Sequence, residues 1–227
     1  MGTDLISIII PVLNEARILP TTLAKTQLGV DVEVIVVDGG SQDGTVELTH
    51  SLGIKVLSHH PPRACQMNAG AKVATGDILL FLHADTLLPN GFDALVRQTL
   101  KQPSAVAGAF ELRIDGLLLG LRLIETGVNW RSRWLQMPYG DQAIFLKTEL
   151  FHTIGGFPKL PIMEDFELMR RLKRQGRIVT IPVPVLTSGR RWQKLGVLKT
   201  TLINQMAIAA YFMGVPPERI ARWYRRQ

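Results

Sequence analysis

The sequence predicts an α/β fold, a mostly parallel sheet with helices on both faces. Three observations carry this. Ile6–Ile10, Val32–Val37 and Asp77–Leu82 are short, nearly unbroken apolar runs. Strands without polar alternation are those buried on both faces, as parallel strands are. Helix-length stretches stand between them, at Glu15–Gln27, Thr45–Ser51 and Arg63–Ala74, giving the strand–helix alternation of a doubly covered sheet. Gly53, Gly76 and Gly91 fall at segment ends, where turns are needed.

Beyond Leu112 the alternation loosens. Leu117–Leu135, rich in Leu, Arg and Trp, is expected as a helix or a mobile insertion, and Gln142–Leu146 as a strand. Glu164–Gln175 predicts a helix. Phe166, Met169 and Leu172 share a face, Glu164, Asp165 and Glu167 crowd the first turn, basic residues fill the last, and Gly176 stops it. Ile178–Ile181 is a short strand. Leu195–Gln227 predicts two helices broken at Gly214–Pro217. Residues 1–186 thus form one globular body, and residues 187–227 a helical extension packed on or beside it.

Composition narrows the function classes. With 46% hydrophobic and 20% charged residues the chain is no disordered tail. A single cysteine excludes a disulfide scaffold and a Cys-based zinc site, and suits a reducing cytoplasm. Residues 1–186 hold eighteen basic and eighteen acidic side chains, whereas residues 187–227 hold eight basic and one acidic. The extension therefore carries the whole net charge of +7. Such an end can meet nucleic acid, anionic lipid or a phosphorylated substrate. In the last helix Arg219, Arg222 and Arg226 share a face with Arg225 beside it, while Ile220, Trp223 and Tyr224 lie on another. That pairing makes peripheral contact with an anionic membrane an expectation. No secretory leader is expected, since Leu5–Leu13 lacks a basic start and a cleavage site. Leu195–Val215 is the one candidate span, interrupted by Lys199 and Asn204-Gln205, so a buried or surface-lying helix is expected there.

In an open parallel sheet, ligands bind beyond the carboxyl ends of the strands. Those ends here read Pro11-Val12-Leu13-Asn14-Glu15, Asp38-Gly39-Gly40-Ser41-Gln42-Asp43-Gly44-Thr45, and His83-Ala84-Asp85. Oxygen ligands beside a turn full of free N–H groups suit a metal-bound diphosphate. Each signal alone is also what structure uses. The Asp-Gly-Gly-Ser block fits a turn and a capped helix, Asp85 fits a cap, and Glu164-Asp165 fits a helix dipole.

The order of these blocks resembles the family 2 glycosyltransferases of the GT-A fold. Asn68-Ala69-Gly70, Gly155-Gly156-Phe157 and Glu164-Asp165 complete the series. Gly140-Asp141-Gln142 and Ser188-Gly189-Arg190-Arg191-Trp192 look closest to a bacterial branch of selenodomain-associated or arsenosugar-type transferases. The resemblance implies that Pro11, Leu13 and Glu15 line the nucleoside and that Asp38 faces the base. It implies Arg63 at base or diphosphate, Asp85 as the metal ligand of Asp-x-Asp, and Asp165, beside Glu164, as the general base. Asp141 and Gln142, with Arg191 and Trp192, fall on the acceptor or diphosphate side. The implied reaction is inverting transfer from a nucleotide-diphosphate sugar to an acceptor hydroxyl, with Mn²⁺ or Mg²⁺ at the diphosphate.

Two departures stand out. The first Asp of Asp-x-Asp is His83, which costs the metal site a negative charge although imidazole can itself be a ligand. The Gln of the Gln-x-x-Arg-Trp motif of processive synthases is Ser188, which speaks against polymer synthesis. The other classes open at this stage are a sugar nucleotidyltransferase and a non-catalytic module binding membrane or nucleic acid. The first would want a Gly-rich basic loop near Pro11–Glu15, and none is there. The expectation is a cytoplasmic bacterial enzyme, peripheral to the inner face of the membrane where its tail makes contact, and binding no nucleic acid.

Overall fold

A computed structural model describes residues 4–118 and 120–226. Leu119 and Gln227, inside segments expected to be helical, lie outside the described residues. The chain forms an eight-stranded sheet in the order β3-β2-β1-β4-β7-β6-β8-β5. Its strands are β1 (Ile6–Val12), β2 (Val32–Asp38), β3 (Lys55–Ser58), β4 (Ile78–Phe81), β5 (Thr86–Leu87), β6 (Ala105–Asp115), β7 (Ile144–Lys147) and β8 (Arg177–Ser188). Pairing is parallel from β3 through β2 and β1 to β4, and again between β6 and β8. β7 runs antiparallel between β4 and β6, and β5 antiparallel at the end of β8.

The three apolar runs are β1, β2 and β4, as expected. Every residue of β1 is buried, and alternate side chains enter two cores, one on each face of the sheet. Ser7 is satisfied inside this strand. Its hydroxyl donates to Glu33 of β2 and accepts the Gly76 N–H. Pro11 lies beyond the last residue paired with β4, so no β1–β4 ladder bond is lost to its missing N–H. The flanking helices are α1 (Leu19–Thr26), α2 (Thr45–Ser51), α3 (Arg63–Val73), α4 (Phe92–Leu100), α5 (Leu121–Leu135), α6 (Thr148–Thr153) and α7 (Glu164–Leu172). α3 lies close on the sheet at Gly70, where a Cβ would come within 2.5 Å of Ile9 Cγ2.

Two findings differ from expectation. β8 runs twelve residues rather than stopping at Ile181. Its partner β6 shifts register between Phe110 and Glu111, and the shift lets Pro182 and Val183 pass without ladder partners. The extension forms three helices: α8 (Arg190–Leu195), α9 (Val197–Phe212) and α10 (Pro217–Tyr224). It packs on the body through Phe166, whose ring meets Tyr211 and Phe212 edge-on at 5.9 and 5.3 Å. The Tyr211 hydroxyl donates to Glu167 at 2.7 Å.

Candidate active site

The carboxyl ends of β1, β2 and β4 converge, and their loops are knitted together by the motif side chains. Asn14 Oδ1 accepts the Gln42 N–H at 2.8 Å, while Ser41 Oγ accepts the Asn14 N–H at 2.8 Å. Thr45 and Asp43 accept the N–H groups of Glu15 and Ala16. On α3, Gln66 donates to the carbonyls of Val12 and Val37 at 3.1 and 3.0 Å. Asn68 clamps both backbone groups of Phe157, which joins the Asn68-Ala69-Gly70 and Gly155-Gly156-Phe157 blocks.

Beyond these loops lie two adjoining cavities. One, of about 530 Å³, is lined by Pro11, Leu13, Glu15, Gln66 and Arg225, among others. The other, of about 410 Å³, is lined by Tyr139, Asp141, Glu164, Asp165, Arg191 and Trp192, with Asn204 and Tyr224 from the extension. Arg63, His83, Asp85 and Arg190 line both. The short β5–β8 pairing explains how Arg190 arrives here. Thr86 meets Thr187 at 3.0 Å and the Ser188 N–H donates to the Asp85 carbonyl at 3.0 Å. The Arg190 guanidinium then bridges Asp85 Oδ2 at 3.0 Å and both carboxylate oxygens of Glu15 at 3.1 and 3.2 Å.

On the second cavity's floor, Asp165 is oriented by two backbone donors. Gly140 N–H reaches Oδ2 at 2.8 Å and Phe166 N–H reaches Oδ1 at 2.7 Å. Gly140 leaves the room for this. A Cβ there would stand 2.9 Å from His83 Nε2. Met163 begins α7 with a left-handed φ of 68°, an uncommon conformation for a long side chain, at the residue just before Glu164-Asp165. Three polar atoms on this cavity's wall are buried without a hydrogen-bond partner: Asp141 Oδ1, Arg191 Nε and Trp192 Nε1. Buried polar groups are ordinarily satisfied, so three unmet hydrogen bonds stand beside this cavity.

The electrostatics set three carboxyl groups apart. Burial pushes Asp141 up to about 6 against the pull of Arg131, and Asp165 adds to the rise. Burial, with the adjacent Asp165 carboxylate, pushes Glu164 up to about 7. Burial holds His83 well below 6.5, aided by Arg63, so the imidazole is neutral at pH 7. The folded state binds the Glu164 proton more tightly than the unfolded chain does. Stability from this group is greatest at low pH and falls as pH rises from 4.5 to about 7. Glu164→Gln is expected to stabilise the protein by on the order of 2 kcal/mol at about pH 8 and hardly at all at about pH 4. Thermal denaturation at the two pH values checks this, and equal effects at both would refute it.

Several sequence expectations are redrawn here. Gln142 does not reach the cavity. Its amide is wholly buried, donating to the Phe110 carbonyl at 2.9 Å and accepting from Ser132 at 2.8 Å and Tyr139 N–H at 3.2 Å. Asp38 is also buried, and both its oxygens accept N–H groups of its own loop, from Gly40 and Ser41. It is not on either cavity wall. His83 Nε2 lies 3.3 Å from Arg63 Nη1. Neutral imidazole accepts that bond, which occupies the Nε2 lone pair a metal would need. Tyr224 faces the cavity rather than solvent. Its ring lies under the Arg191 guanidinium at 3.9 Å and its hydroxyl donates to Asn204 at 2.9 Å. Asn204, Tyr224 and Arg225 were not identified as site residues from sequence. The one signal was a polar Asn204 inside an apolar helix.

Comparison with known proteins places this geometry. Residues 7–160 match the model of the family described as Glycosyl transferase family 2. A PGL/p-HBAD biosynthesis glycosyltransferase of Mycobacterium bovis is 30% identical over 223 residues, covering 90% of this chain and 83% of that protein. Among solved structures, a mannosyltransferase of Pyrobaculum calidifontis in complex with GDP-Man and Mn²⁺ superposes with a TM-score of 0.67 at 22% identity. The match covers 82% of this chain and 57% of that one. Glucosyl-3-phosphoglycerate synthase of Mycobacterium tuberculosis, with Mn²⁺, UDP and phosphoglyceric acid, gives a TM-score of 0.63 at 19% identity, covering 94% of this chain and 80% of that one. The strand-end loops, the paired cavities and these matches agree, and the chain belongs to glycosyl transferase family 2 as a glycosyltransferase of the GT-A fold.

Proposed function

We propose that this enzyme transfers a sugar from a nucleotide-diphosphate donor to an acceptor hydroxyl with inversion at the anomeric carbon. The observation that carries the reading is the meeting of the two cavities at Arg63, His83, Asp85 and Arg190, with Asp141, Glu164 and Asp165 gathered on the second alone. On this reading Pro11, Leu13 and Glu15 receive the nucleoside, and Arg63 and Arg190 flank the diphosphate. Asp38 acts through its loop, by holding Gly40 and Ser41. Asp165 takes the acceptor proton. The acceptor oxygen forms its bond to the anomeric carbon as the carbon–oxygen bond to the diphosphate breaks and the nucleoside diphosphate leaves. Residues 1–186 then supply most of the donor site and the carboxylates of the second cavity, and residues 187–227 add Arg190 and Arg225 to the first and wall the acceptor side. Gly140-Asp141 and Arg190-Arg191-Trp192, all on cavity walls, support the arsenosugar-type branch. We place the enzyme in the cytoplasm, where the free thiol of Cys65 stays reduced.

A divalent cation fits this site with Asp85, rather than His83, as its protein ligand. Among the described residues no cluster of three His, Cys, Asp or Glu forms a cage. One hard carboxylate beside a diphosphate path suits an ion that completes its shell with substrate oxygens and water. Such an ion supplies charge neutralisation for the leaving diphosphate. Mn²⁺ in the mannosyltransferase and synthase structures supports this choice, and Mg²⁺ is the alternative. Titration calorimetry with UDP and GDP tests the reading. Affinity is expected to be tighter by about tenfold or more with Mn²⁺ than with EDTA. Equal affinities would overturn the metal site, and binding of neither nucleotide would overturn the donor class.

A further inference from the structure

We propose that the outward faces of α9 and α5 dock this enzyme on an anionic phospholipid bilayer. α9 is apolar on both sides. Thr200, Ile203 and Ala207 are buried, yet on the opposite side Leu198, Leu202 and Met213 are 87%, 60% and 76% exposed, and Met206 lies exposed among them. Their four- and seven-residue spacing puts them on one face, with no acidic residue among them. An exposed apolar stripe opposite a buried face marks a surface that something covers. α5 repeats the pattern, with Leu123, Trp130 and Trp134 exposed at seven- and four-residue steps. The two helices share the lining of one groove of about 320 Å³, α5 through Leu123 among others and α9 through Thr201, Asn204, Gln205 and Ile208, so they are neighbours at the surface.

Charge decides what covers it. Lys194, Lys199, Arg219, Arg222 and Arg226 are exposed on α8–α10 and just beyond, against a lone exposed Glu218. A second copy would bring these cations against themselves across a symmetric interface, whereas an anionic lipid surface attracts them. Tryptophans at the rim suit the headgroup level. α9 has sixteen residues, about 24 Å of helix against a hydrocarbon core of about 30 Å, and no helix of the described residues is long and apolar enough to cross. It would lie in the interface plane. The docking face is thus on α9 and α5, not on the aromatics of α10, whose Ile220 is buried and whose Tyr224 points into the site. The groove reaches Tyr139, Asp141, Trp192 and Asn204, which also line the second cavity. Leu123 lines this groove, so docking through α5 would bring that cavity near the lipid.

Docking of this kind is independent of the donor chemistry and is tested without it. The full chain is floated with vesicles of phosphatidylcholine alone and of phosphatidylcholine with phosphatidylglycerol. Binding to the anionic vesicles, weakening with salt, is expected. The double substitution Leu202→Glu with Met206→Glu should reduce it by about tenfold or more, and Trp130→Ser with Trp134→Ser should reduce it also. Both variants should keep the parent's unfolding midpoint, because the side chains are exposed. Absence of binding, equal binding to both vesicle types, or binding that both variants retain would overturn the proposal. So would a dimer in sedimentation equilibrium that Leu202→Glu with Met206→Glu converts to monomer, since a second copy would then cover the face.

Discussion

Replacing Asp165 by asparagine is expected to lower release of nucleoside diphosphate from the donor by about 10²- to 10⁴-fold, the range for losing a positioned acid–base group. Nucleotide affinity should barely move, because Asp165 faces the second cavity and lies on no wall of the first. The substitution is nearly isosteric, but an amide cannot accept the acceptor proton. The side-chain oxygen can still take the Gly140 N–H that orients the carboxylate at 2.8 Å. A loss in turnover with preserved nucleotide binding would thus report chemistry rather than a collapsed site. Turnover within a few-fold of the parent would move the base to Asp141. That carboxyl is already raised to about 6 and has one oxygen unpartnered in the cavity wall.

Asp85→Ala is expected to reduce turnover on the order of 10²-fold or more, the scale for removing one group aimed at a developing negative charge. Nucleotide affinity measured with Mn²⁺ should fall to the level measured with EDTA. The fold should survive. The Asp85 backbone still receives the Ser188 N–H, and Arg190 keeps Glu15 as its partner. Arg190 is about half exposed, so its ion pairs contribute little to stability. Arg190→Ala supplies the contrast. It removes a cation from between two carboxylates and should alter affinity while leaving the Mn²⁺ requirement in place. If Asp85→Ala keeps its Mn²⁺ response, the metal sits elsewhere.

The strand ends were legible because burial on both faces leaves an unmistakable apolar run. β1, β2 and β4 were all readable this way, and α2 as the helix-length stretch set off beyond β2. β6 was not, because its outer end alternates buried and exposed residues, and β8 was cut short by two prolines that a register shift absorbs. In the site, residue type showed where polar groups would gather but not which way each would point. Gln142 and Asp38 spend their hydrogen bonds inward, while Asp85, Asp165 and Arg191 face open space. The contribution of α9 and α10 was the least legible. Tyr224 and Asn204 reach the cavity through tertiary packing far along the chain, and periodicity reports a helix's faces without reporting what lies opposite them.

On the proposed reading, the unpartnered Asp141 Oδ1, Arg191 Nε and Trp192 Nε1 would shape which molecules this enzyme refuses. One carboxylate oxygen and two N–H donors are already stripped of water. An acceptor whose hydroxyls reach them on a small shift of the wall would restore their bonds, and a deoxy analogue would leave them stranded at the full desolvation penalty. Extra bulk meets only the modest resistance of packing. Discrimination is then expected to fall hardest on the acceptor that lacks a polar group and to tolerate the acceptor that merely carries an additional methylene.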